Sequence, residues 1–283
     1  MEIANKSLLI IPVTCHMCGE EHIPFYSLQR RTMTTRTNIF GVYQYNEALP
    51  GKEFCNYNLI RVAICPHCYF SSGYTNDFIS ESSVKKNQSE PFDKGSIVDQ
   101  WLASKSKRQD LVAPYRENLF SESRKIKQSL LAYSLALLST KAILKTELVK
   151  KETSRDYSVE LKAVSYMMIK AELLMSHNKS TEAVKIAKSA LEKLQVISPF
   201  LRREAGIKAG YLMGMLGLYF EIPKIISESF IFLQQYDKRN KVKFGTEEHK
   251  AWVTSLQKFT EAYQSRDEFS HKNMNGFNKP FEY

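Results

Sequence analysis

The chain has few of the residues that interrupt regular structure, and it has no long apolar run. Only 11 glycines and 9 prolines occur among its 283 residues, which argues against a loop-rich protein and favours long regular elements. Residues 7–13 are apolar but too few for a signal-peptide core. The longest uncharged stretch of the helical part, residues 128–140, would span only about 20 Å as a helix, which is less than a bilayer core. We therefore expect no membrane-spanning segment and no membrane partner.

The sequence also lacks the short motifs of common enzymes. It contains no glycine-rich phosphate loop, no His-Glu-x-x-His, no Gly-x-Ser-x-Gly and no paired acidic motif. The histidines His177, His249 and His271 are isolated from one another in sequence. These absences predict that the protein is not an enzyme.

Cysteine is scarce, but its placement is informative. There are five cysteines, and four of them form two Cys-x-x-Cys pairs. This usage favours a reduced compartment and a metal site over a disulfide framework. We therefore predict a cytoplasmic protein.

The two pairs, Cys15 with Cys18 and Cys65 with Cys68, form the strongest motif in the chain. Four thiolates suit Zn²⁺, which is borderline-soft and accepts tetrahedral sulfur ligands. Gly19 after the first pair favours the tight turn of a zinc knuckle. A closed shell of four thiolates leaves no position for water or substrate, so we predict one structural zinc ion. The alternatives are an iron site with the same ligands, a dithiol redox site, or buried apolar cysteines.

Three neighbouring side chains are not predicted to be ligands. His16 and His67 occupy interior positions of the knuckles, and such positions usually point outward. Cys55 is interpreted as a free core cysteine, with a fifth thiol packed near the cluster and an alternate ligand as the other interpretations.

The periodicity of the chain predicts an α+β architecture, in which a small N-terminal zinc-ribbon-like β module precedes an all-α helical array. Strand-like runs cover residues 7–13, 39–45 and 59–64. Helical patterns cover residues 121–151, 158–177, 181–196, 199–221, 223–238 and 246–266. We predict four segments: a zinc-knuckle module (1–75), a polar linker or crossing segment (76–118), a helical domain (119–268) and a flexible tail (269–283).

Small residues within the helical domain favour a tetratricopeptide-like array. Ala171, Leu174, Ala183, Ala187 and Ala190 lie at the spacings where a tetratricopeptide helix pair places small and bulky packing residues. A generic helical bundle is the alternative.

The net charge of +10 belongs entirely to the residues after position 90, because basic and acidic residues are equally numerous before it. Such an excess makes polyanions candidate partners. The candidate contacts with nucleic acid are Arg30, Arg31, Arg36, Lys238, Arg239, Lys241 and Lys243. These residues could contact phosphates while nearby aromatic rings stack on bases, although a solvated loop face is the simpler interpretation.

The residues around the cysteine pairs resemble a bacterial family described as domain of unknown function 2225. The resemblance rests on Cys15-His16-Met17-Cys18-Gly19, Phe54-Cys55 and Val62-Ala63-Ile64-Cys65-Pro66-His67-Cys68, and it covers mainly residues 12–70. It implies that the four knuckle cysteines bind a metal and that a tetratricopeptide-like tail follows. Tyr69 stands where that family usually has glycine. The family has no established activity, so the resemblance implies no function.

These observations lead to three hypotheses of function. The first is a cytoplasmic zinc-binding scaffold that holds a protein or peptide partner in a helical groove. The second is a nucleic-acid-binding zinc-ribbon regulator. The third is a zinc enzyme or thiol oxidoreductase, which would need a labile ligand or a cysteine of low pKa.

Overall fold

The computed structural model describes residues 7–29, 32–80, 95–147 and 157–268. Within these ranges the strands precede nearly all of the helices, so the predicted α+β class is confirmed. The chain divides into two compact units. The first unit comprises Met1–Thr35 and Gln44–Arg155, and the second comprises Arg36–Tyr43 and Asp156–Tyr283. The tail predicted for residues 269–283 lies outside the described residues.

Regular elements occur in the following order along the described chain. The strands are β1 (Leu8–Thr14), β2 (Ile23–Leu28), β3 (Met33–Thr37), β4 (Tyr43–Ala48), β5 (Ala63–Ile64), β6 (Ser71–Ser72) and β7 (Ile79–Ser80). The helices are α1 (Tyr57–Ile60), α2 (Gly95–Ala103), α3 (Lys105–Val112), α4 (Ile126–Glu147), α5 (Ser158–Ser176), α6 (Ser180–Ile197), α7 (Arg203–Tyr219), α8 (Pro223–Asn240) and α9 (Glu247–Gln264).

Two small sheets in the first unit carry the cysteine pairs. In the larger sheet, β1 lies between β2 and β7 and is antiparallel to both. Val13 of β1 and Ile23 of β2 are cross-strand partners, and both are buried, as the period-2 alternation of a strand requires. In the smaller sheet, β5 pairs with β6 in antiparallel fashion. Each cysteine pair lies in the connection between two paired strands, so strand pairing fixes both ends of each knuckle.

Two of the three predicted strands have different boundaries in the structure. The run at residues 39–45 becomes strand only from Tyr43, because the Asn38 side chain accepts hydrogen bonds from the backbone N–H groups of Phe40 and Val42, each at 3.0 Å, and closes a turn. The run at residues 59–64 begins as the short helix α1, whose N-terminus is capped by the Asn56 side chain. In both places an asparagine side chain bonds to nearby backbone and competes with the strand.

The segment predicted as a linker, residues 76–118, instead contains α2 and α3. Both helices belong to the first compact unit together with α4. The buried side chains of Trp101 and Arg108 hold α2 and α3 against the second knuckle. The first compact unit extends to Arg155, whereas the predicted helical domain begins at residue 119.

Helix α4 supplies side chains that bond to the backbone around α1. The Ser129 hydroxyl donates to the carbonyl of Leu59 at 2.8 Å, and the Tyr133 hydroxyl donates to the carbonyl of Asn58 at 2.8 Å. The predicted start of this helix at Ser121 is wrong, because the helix begins at Ile126. The predicted end at Lys151 lies outside the described residues.

Arg124, just before α4, is buried among backbone carbonyls. Its guanidinium donates to the carbonyls of Leu119 at 2.8 Å and Val62 at 2.9 Å. Burial lowers the pKa of this guanidinium to about 10, so the group stays charged at neutral pH. Through these bonds Arg124 ties Val62, just before the second knuckle, to the segment that precedes α4 in the same unit.

The second unit contains the helices α5 to α9. All five agree with the predicted helices to within a few residues, because their boundaries are local signals. Pro223 occupies the first turn of α8, where its missing N–H costs nothing. The Thr246 side chain caps α9 by accepting from the N–H of His249.

Close helix packing in the second unit depends on small residues. Ala183, Ala187 and Ala190 of α6 are fully buried, and α5 and α6 pack against each other. On α7, Gly210, Gly214 and Gly217 lie against side chains of α8 and α9. Because no Cβ separates them, these helices approach one another closely.

The second unit also includes the turn at residues 36–43. The Phe40 ring packs edge-to-face against Tyr219 of α7, with centroids 5.4 Å apart. The Tyr211 hydroxyl donates to the Ile39 carbonyl at 3.0 Å. An apolar turn from the N-terminal part of the sequence is therefore part of the core around α7. Among the described residues, no helix is both long and apolar enough to cross a membrane.

Candidate metal centre

The four cysteines of the two Cys-x-x-Cys pairs converge on one point in the first unit. The sulfur atoms of Cys15, Cys18, Cys65 and Cys68 all lie within 4.8 Å of one another. The Sγ atoms of Cys15 and Cys68 are 3.6 Å apart, and those of Cys18 and Cys65 are 3.5 Å apart. These separations are too long for disulfides, whose sulfurs lie about 2.05 Å apart. The cluster is therefore a set of four thiols that could hold a metal ion.

Both knuckles have the same backbone geometry. In the first, the Cys15 N–H donates to the Glu20 carbonyl at 2.7 Å, and the Gly19 N–H donates to the Cys15 carbonyl at 2.9 Å. In the second, the Cys65 N–H donates to the Phe70 carbonyl at 2.8 Å, and the Tyr69 N–H donates to the Cys65 carbonyl at 2.9 Å. These bonds close each loop and aim both of its sulfurs the same way.

The residue after each pair adopts the left-handed conformation that the turn requires. Gly19 has φ of +77° and Tyr69 has φ of +63°. Glycine takes this conformation without steric cost, whereas a tyrosine takes it at a cost of the order of 1 kcal/mol. The departure at Tyr69 therefore leaves the knuckle geometry intact. Its buried side chain packs in the core of the first unit.

Without a cation, the crowded thiols cannot all lose their protons. Hydrogen bonding to Cys65 and Cys68, together with burial, raises the pKa of Cys15 far above its usual range. Hydrogen bonding from Cys15 lowers the pKa of Cys65. The close approach of the sulfurs therefore opposes ionisation of Cys15 and favours ionisation of Cys65. A dication would reverse this balance and bind all four as thiolates, with release of protons.

The geometry of the cluster fits a tetrahedral ion. Four sulfurs placed about 2.3 Å from one centre lie about 3.8 Å from each other, which is close to the observed spacing of 3.5 and 3.6 Å. Cys15, Cys65 and Cys68 are buried and Cys18 is half-buried. All four positions of such an ion would be filled by protein, which is typical of structural rather than catalytic centres.

Two buried side chains from α2 and α3 support the second knuckle. The Trp101 indole N–H donates to the Cys68 carbonyl at 3.2 Å, and the Arg108 Nε donates to the same oxygen at 3.1 Å. Arg108 also lies over the Trp101 ring, 3.7 Å from its centroid, and donates to the Trp101 carbonyl. No carboxylate pairs with Arg108 among the described residues.

Arg108 places a positive charge beside the cysteine cluster. Burial lowers the pKa of its guanidinium, and negative charge on Cys68 acts in the opposite direction. A four-thiolate centre around a divalent ion carries two net negative charges, so a buried guanidinium nearby is electrostatically favourable. Sequence analysis missed both Trp101 and Arg108. A spacing of seven residues would place both side chains on one face of a continuous helix, but the chain breaks at Ser104 between α2 and α3, and both helices lie in the segment predicted as a linker.

The structure assigns different surroundings to the two knuckle histidines. His67 is exposed, as predicted, whereas His16 is buried, so the prediction that it points outward is wrong. Neither imidazole belongs to the group of candidate ligands. Cys55 is half-buried and also lies outside that group.

Cys55 should react slowly with alkylating agents and should be dispensable for metal binding. Burial, with a smaller effect from Glu122, raises the pKa of this thiol to about 11. At pH 7 about 1 thiol in 10⁴ is then ionised, against about 3% for an ordinary cysteine. We expect iodoacetamide to modify Cys55 of the folded protein at least about tenfold more slowly than a cysteine in an unfolded peptide, because the lower ionised fraction outweighs the higher nucleophilicity of the thiolate. Mass spectrometry of the labelled chain measures this rate, and the Cys55→Ser variant should keep its metal. Fast labelling, or metal loss in that variant, would contradict this assignment.

The basic residues considered for nucleic-acid binding do not form part of the cysteine cluster. Arg30 and Arg31 lie outside the described residues, and Arg36 is exposed on β3. The other candidate contacts are exposed at and after the end of α8, and they are Lys238, Arg239, Lys241 and Lys243. Cations at a helix C-terminus are stabilised by the helix dipole, so their location has a structural explanation.

Fold and site together define an α+β protein with a largely buried four-cysteine cluster of metal-binding geometry. Comparison of the chain with protein-family models, curated proteins and solved structures finds no significant match.

Proposed function

We propose that the protein is a zinc-stabilised interaction module, in which zinc is structural and the helices present binding surfaces to a protein partner. The observation that carries the first part is the closed cluster: four sulfurs within 4.8 Å, with three of the four cysteines buried. Zinc prefers this donor set because it tolerates tetrahedral sulfur coordination without a redox penalty. A closed shell offers no position for a substrate, so the proposed function includes no catalysis at the metal.

A structural ion would also add stability to the first unit, whose sheets are small. Its strands are short, and β5, β6 and β7 have only two residues each. Short sheets bury little apolar area, and small metal sites contribute about 10–16 kcal/mol of apparent binding free energy to folding. Zinc at the cluster would join both cysteine pairs and thereby stabilise the sheets that carry them.

The interaction part of the proposal is supported by the surface of the helices. Paired helices with buried small residues resemble the building unit of tetratricopeptide arrays, whose stacked helices present binding grooves. Several large apolar side chains of the second unit are exposed, and a binding surface would form where such side chains are contiguous. They are Val196, Phe200, Ile231, Phe244, Val253 and Tyr263. Membership of the family described as domain of unknown function 2225 stays a prediction that agrees with this proposal.

A binding comparison separates this proposal from the nucleic-acid alternative. Zinc-loaded protein is titrated with labelled DNA and RNA at about 50 and about 200 mM salt, and is also used to capture partners from a nuclease-treated lysate. We expect weak binding to nucleic acid at the higher salt and a discrete protein retained after nuclease. Tight binding that falls steeply with salt, and that is lost when Lys238, Lys241 and Lys243 become glutamate, would replace the proposal with a nucleic-acid function.

A further inference from the structure

A groove with a cavity volume of about 340 Å³ lies in the first unit between α2, α3 and α4. We refer to it as the lysine groove. The described residues that line it are Ile97, Gln100, Trp101, Ser104, Lys107, Arg108, Leu111, Leu138, Lys141, Ala142 and Lys145. Its volume is at the lower end of the range for ligand sites in proteins and suffices for one or two large apolar side chains.

The floor of the lysine groove is apolar, and one leucine on each wall is partly exposed. Ile97 and Trp101 are buried at the bottom. Leu111 on α3 and Leu138 on α4 are 52% and 37% exposed. An enclosed pocket would hide such side chains, and a small molecule in this open groove would stay largely in water. The shape therefore favours the side of a macromolecule over a small ligand.

The rim of the lysine groove is cationic on both walls. Lys107 lies on α3, four residues before Leu111, and Lys141 and Lys145 lie one turn apart on α4. None of the described residues that line the groove is acidic, and none of the three lysines forms an ion pair with a described residue. Three positive charges around an apolar floor, with no acidic partner among the residues that the structure describes, are complementary to negative charges that flank an apolar stripe.

We infer that the lysine groove binds an acidic amphipathic helix of a partner protein. In this mode a helix lays apolar side chains, spaced i, i+3, i+4 and i+7, into a groove between helices. Its flanking glutamate or aspartate residues face Lys107, Lys141 and Lys145. This inference rests on the proposed interaction function and names the surface and the chemistry of the partner.

The floor of the groove is also the support of the metal centre. Trp101 and Arg108 line the groove and donate hydrogen bonds to the Cys68 carbonyl. A helix bound in the groove therefore contacts the indole that packs behind the second knuckle. Trp101 is one of only two tryptophans in the chain, so its fluorescence reports on the groove.

The test uses a designed peptide with the full-length, zinc-loaded protein. The probe is a fluorescein-labelled helical peptide of about 18 residues, with leucine on one face and glutamate on the other, and its counterpart carries lysine instead of glutamate. We expect the acidic peptide to bind with micromolar affinity by fluorescence polarisation and the basic peptide to bind at least about tenfold more weakly. In a Trp252→Phe background, the unlabelled acidic peptide should shift the emission of Trp101.

Matched variants separate the groove from general charge effects. Lys141→Glu with Lys145→Glu should weaken binding of the acidic peptide at least about tenfold. Lys185→Glu with Lys188→Glu, on exposed positions of α6, changes the net charge equally and should leave the affinity unchanged. Equal loss in both double variants, equal binding of both peptides, no binding, or an unchanged Trp101 emission would overturn the inference.

Capture of a natural partner distinguishes failure of the groove assignment from failure of the proposed interaction function. A natural partner that is captured from lysate equally by the wild type and by the Lys141→Glu/Lys145→Glu variant would overturn the groove assignment and leave the interaction function standing. A wild-type protein that captures no partner would contradict the function itself. A shift of the Trp101 emission on addition of dodecanoate, without any shift on addition of the acidic peptide, would assign the groove to a small amphipathic acid and overturn the helix assignment.

Discussion

The Cys65→Ser variant should lose its bound metal and the folded structure of the first unit. Cys65 is buried, and its sulfur lies 3.5 Å from that of Cys18 and accepts a hydrogen bond from the Cys68 N–H at 3.4 Å. A serine hydroxyl is a poor ligand for zinc, and three remaining thiolates bind it much more weakly. We therefore expect metal content to fall from about one ion per chain to nearly none. Because metal binding contributes about 10–16 kcal/mol to the folding of small zinc domains, the first unit should unfold when the metal is lost.

Elemental analysis of purified protein, with circular dichroism during heating, measures both effects. The Cys55→Ser variant is the matched control, because it removes a half-buried thiol outside the cluster and should retain its metal. Elemental analysis of the wild type also distinguishes zinc from iron. Normal metal content in Cys65→Ser would show that the cysteine cluster is not the metal site.

The second large effect is expected in the second unit, where Gly214→Val should destabilise the packing of α7 against α9. A Cβ at Gly214 would lie 2.5 Å from Cε2 of Phe259 and 2.7 Å from its Cζ. Phe259 is fully buried, so its ring has no open space to move into. Overpacking of this kind typically costs about 1–3 kcal/mol, and the two methyl groups of valine place the effect at the upper end.

Alanine substitutions provide the graded comparison for that prediction. A Cβ at Gly217, on the same helix, would lie 3.1 Å from Cγ2 of Ile225, which a small shift can relieve. Both Gly→Ala changes gain about 1 kcal/mol of helix propensity, so their difference isolates the packing term. In urea denaturation we expect Gly214→Ala to lower the free energy of unfolding and Gly217→Ala to change it little. Equal stability of the two variants would mean that α7 and α9 do not approach this closely.

The elements that sequence analysis predicted well have local causes. The helices α5 to α9 follow from apolar periodicity within one segment and from boundary residues such as Pro223 and Thr246. The cysteine pairs are equally local, since a two-residue gap and Gly19 suffice to indicate a knuckle. That both pairs serve one site was inferred from the ligand number of zinc, and the clustering of all four sulfurs agrees with it.

Local competition explains the errors in the strands. Asn38 and Asn56 each bond to backbone N–H groups a few residues ahead, and this shifted the start of β4 and converted part of the third predicted strand into α1. Each of these bonds depends on a single asparagine side chain. The apolar pattern around it predicts a strand whether or not the bond forms.

The sequence by itself determined the class of the fold, the helices of the second unit and the candidate metal ligands. Only the tertiary structure decided that α2 and α3 pack in the first unit, that the apolar turn at residues 36–43 belongs to the second, and that Arg108 and Trp101 support the Cys68 carbonyl. The physical reason is the range of the interactions. Periodicity and turn chemistry act over a few residues, whereas the partner of a buried arginine or of an apolar turn is set by packing between segments that lie 33 to 172 residues apart in the chain.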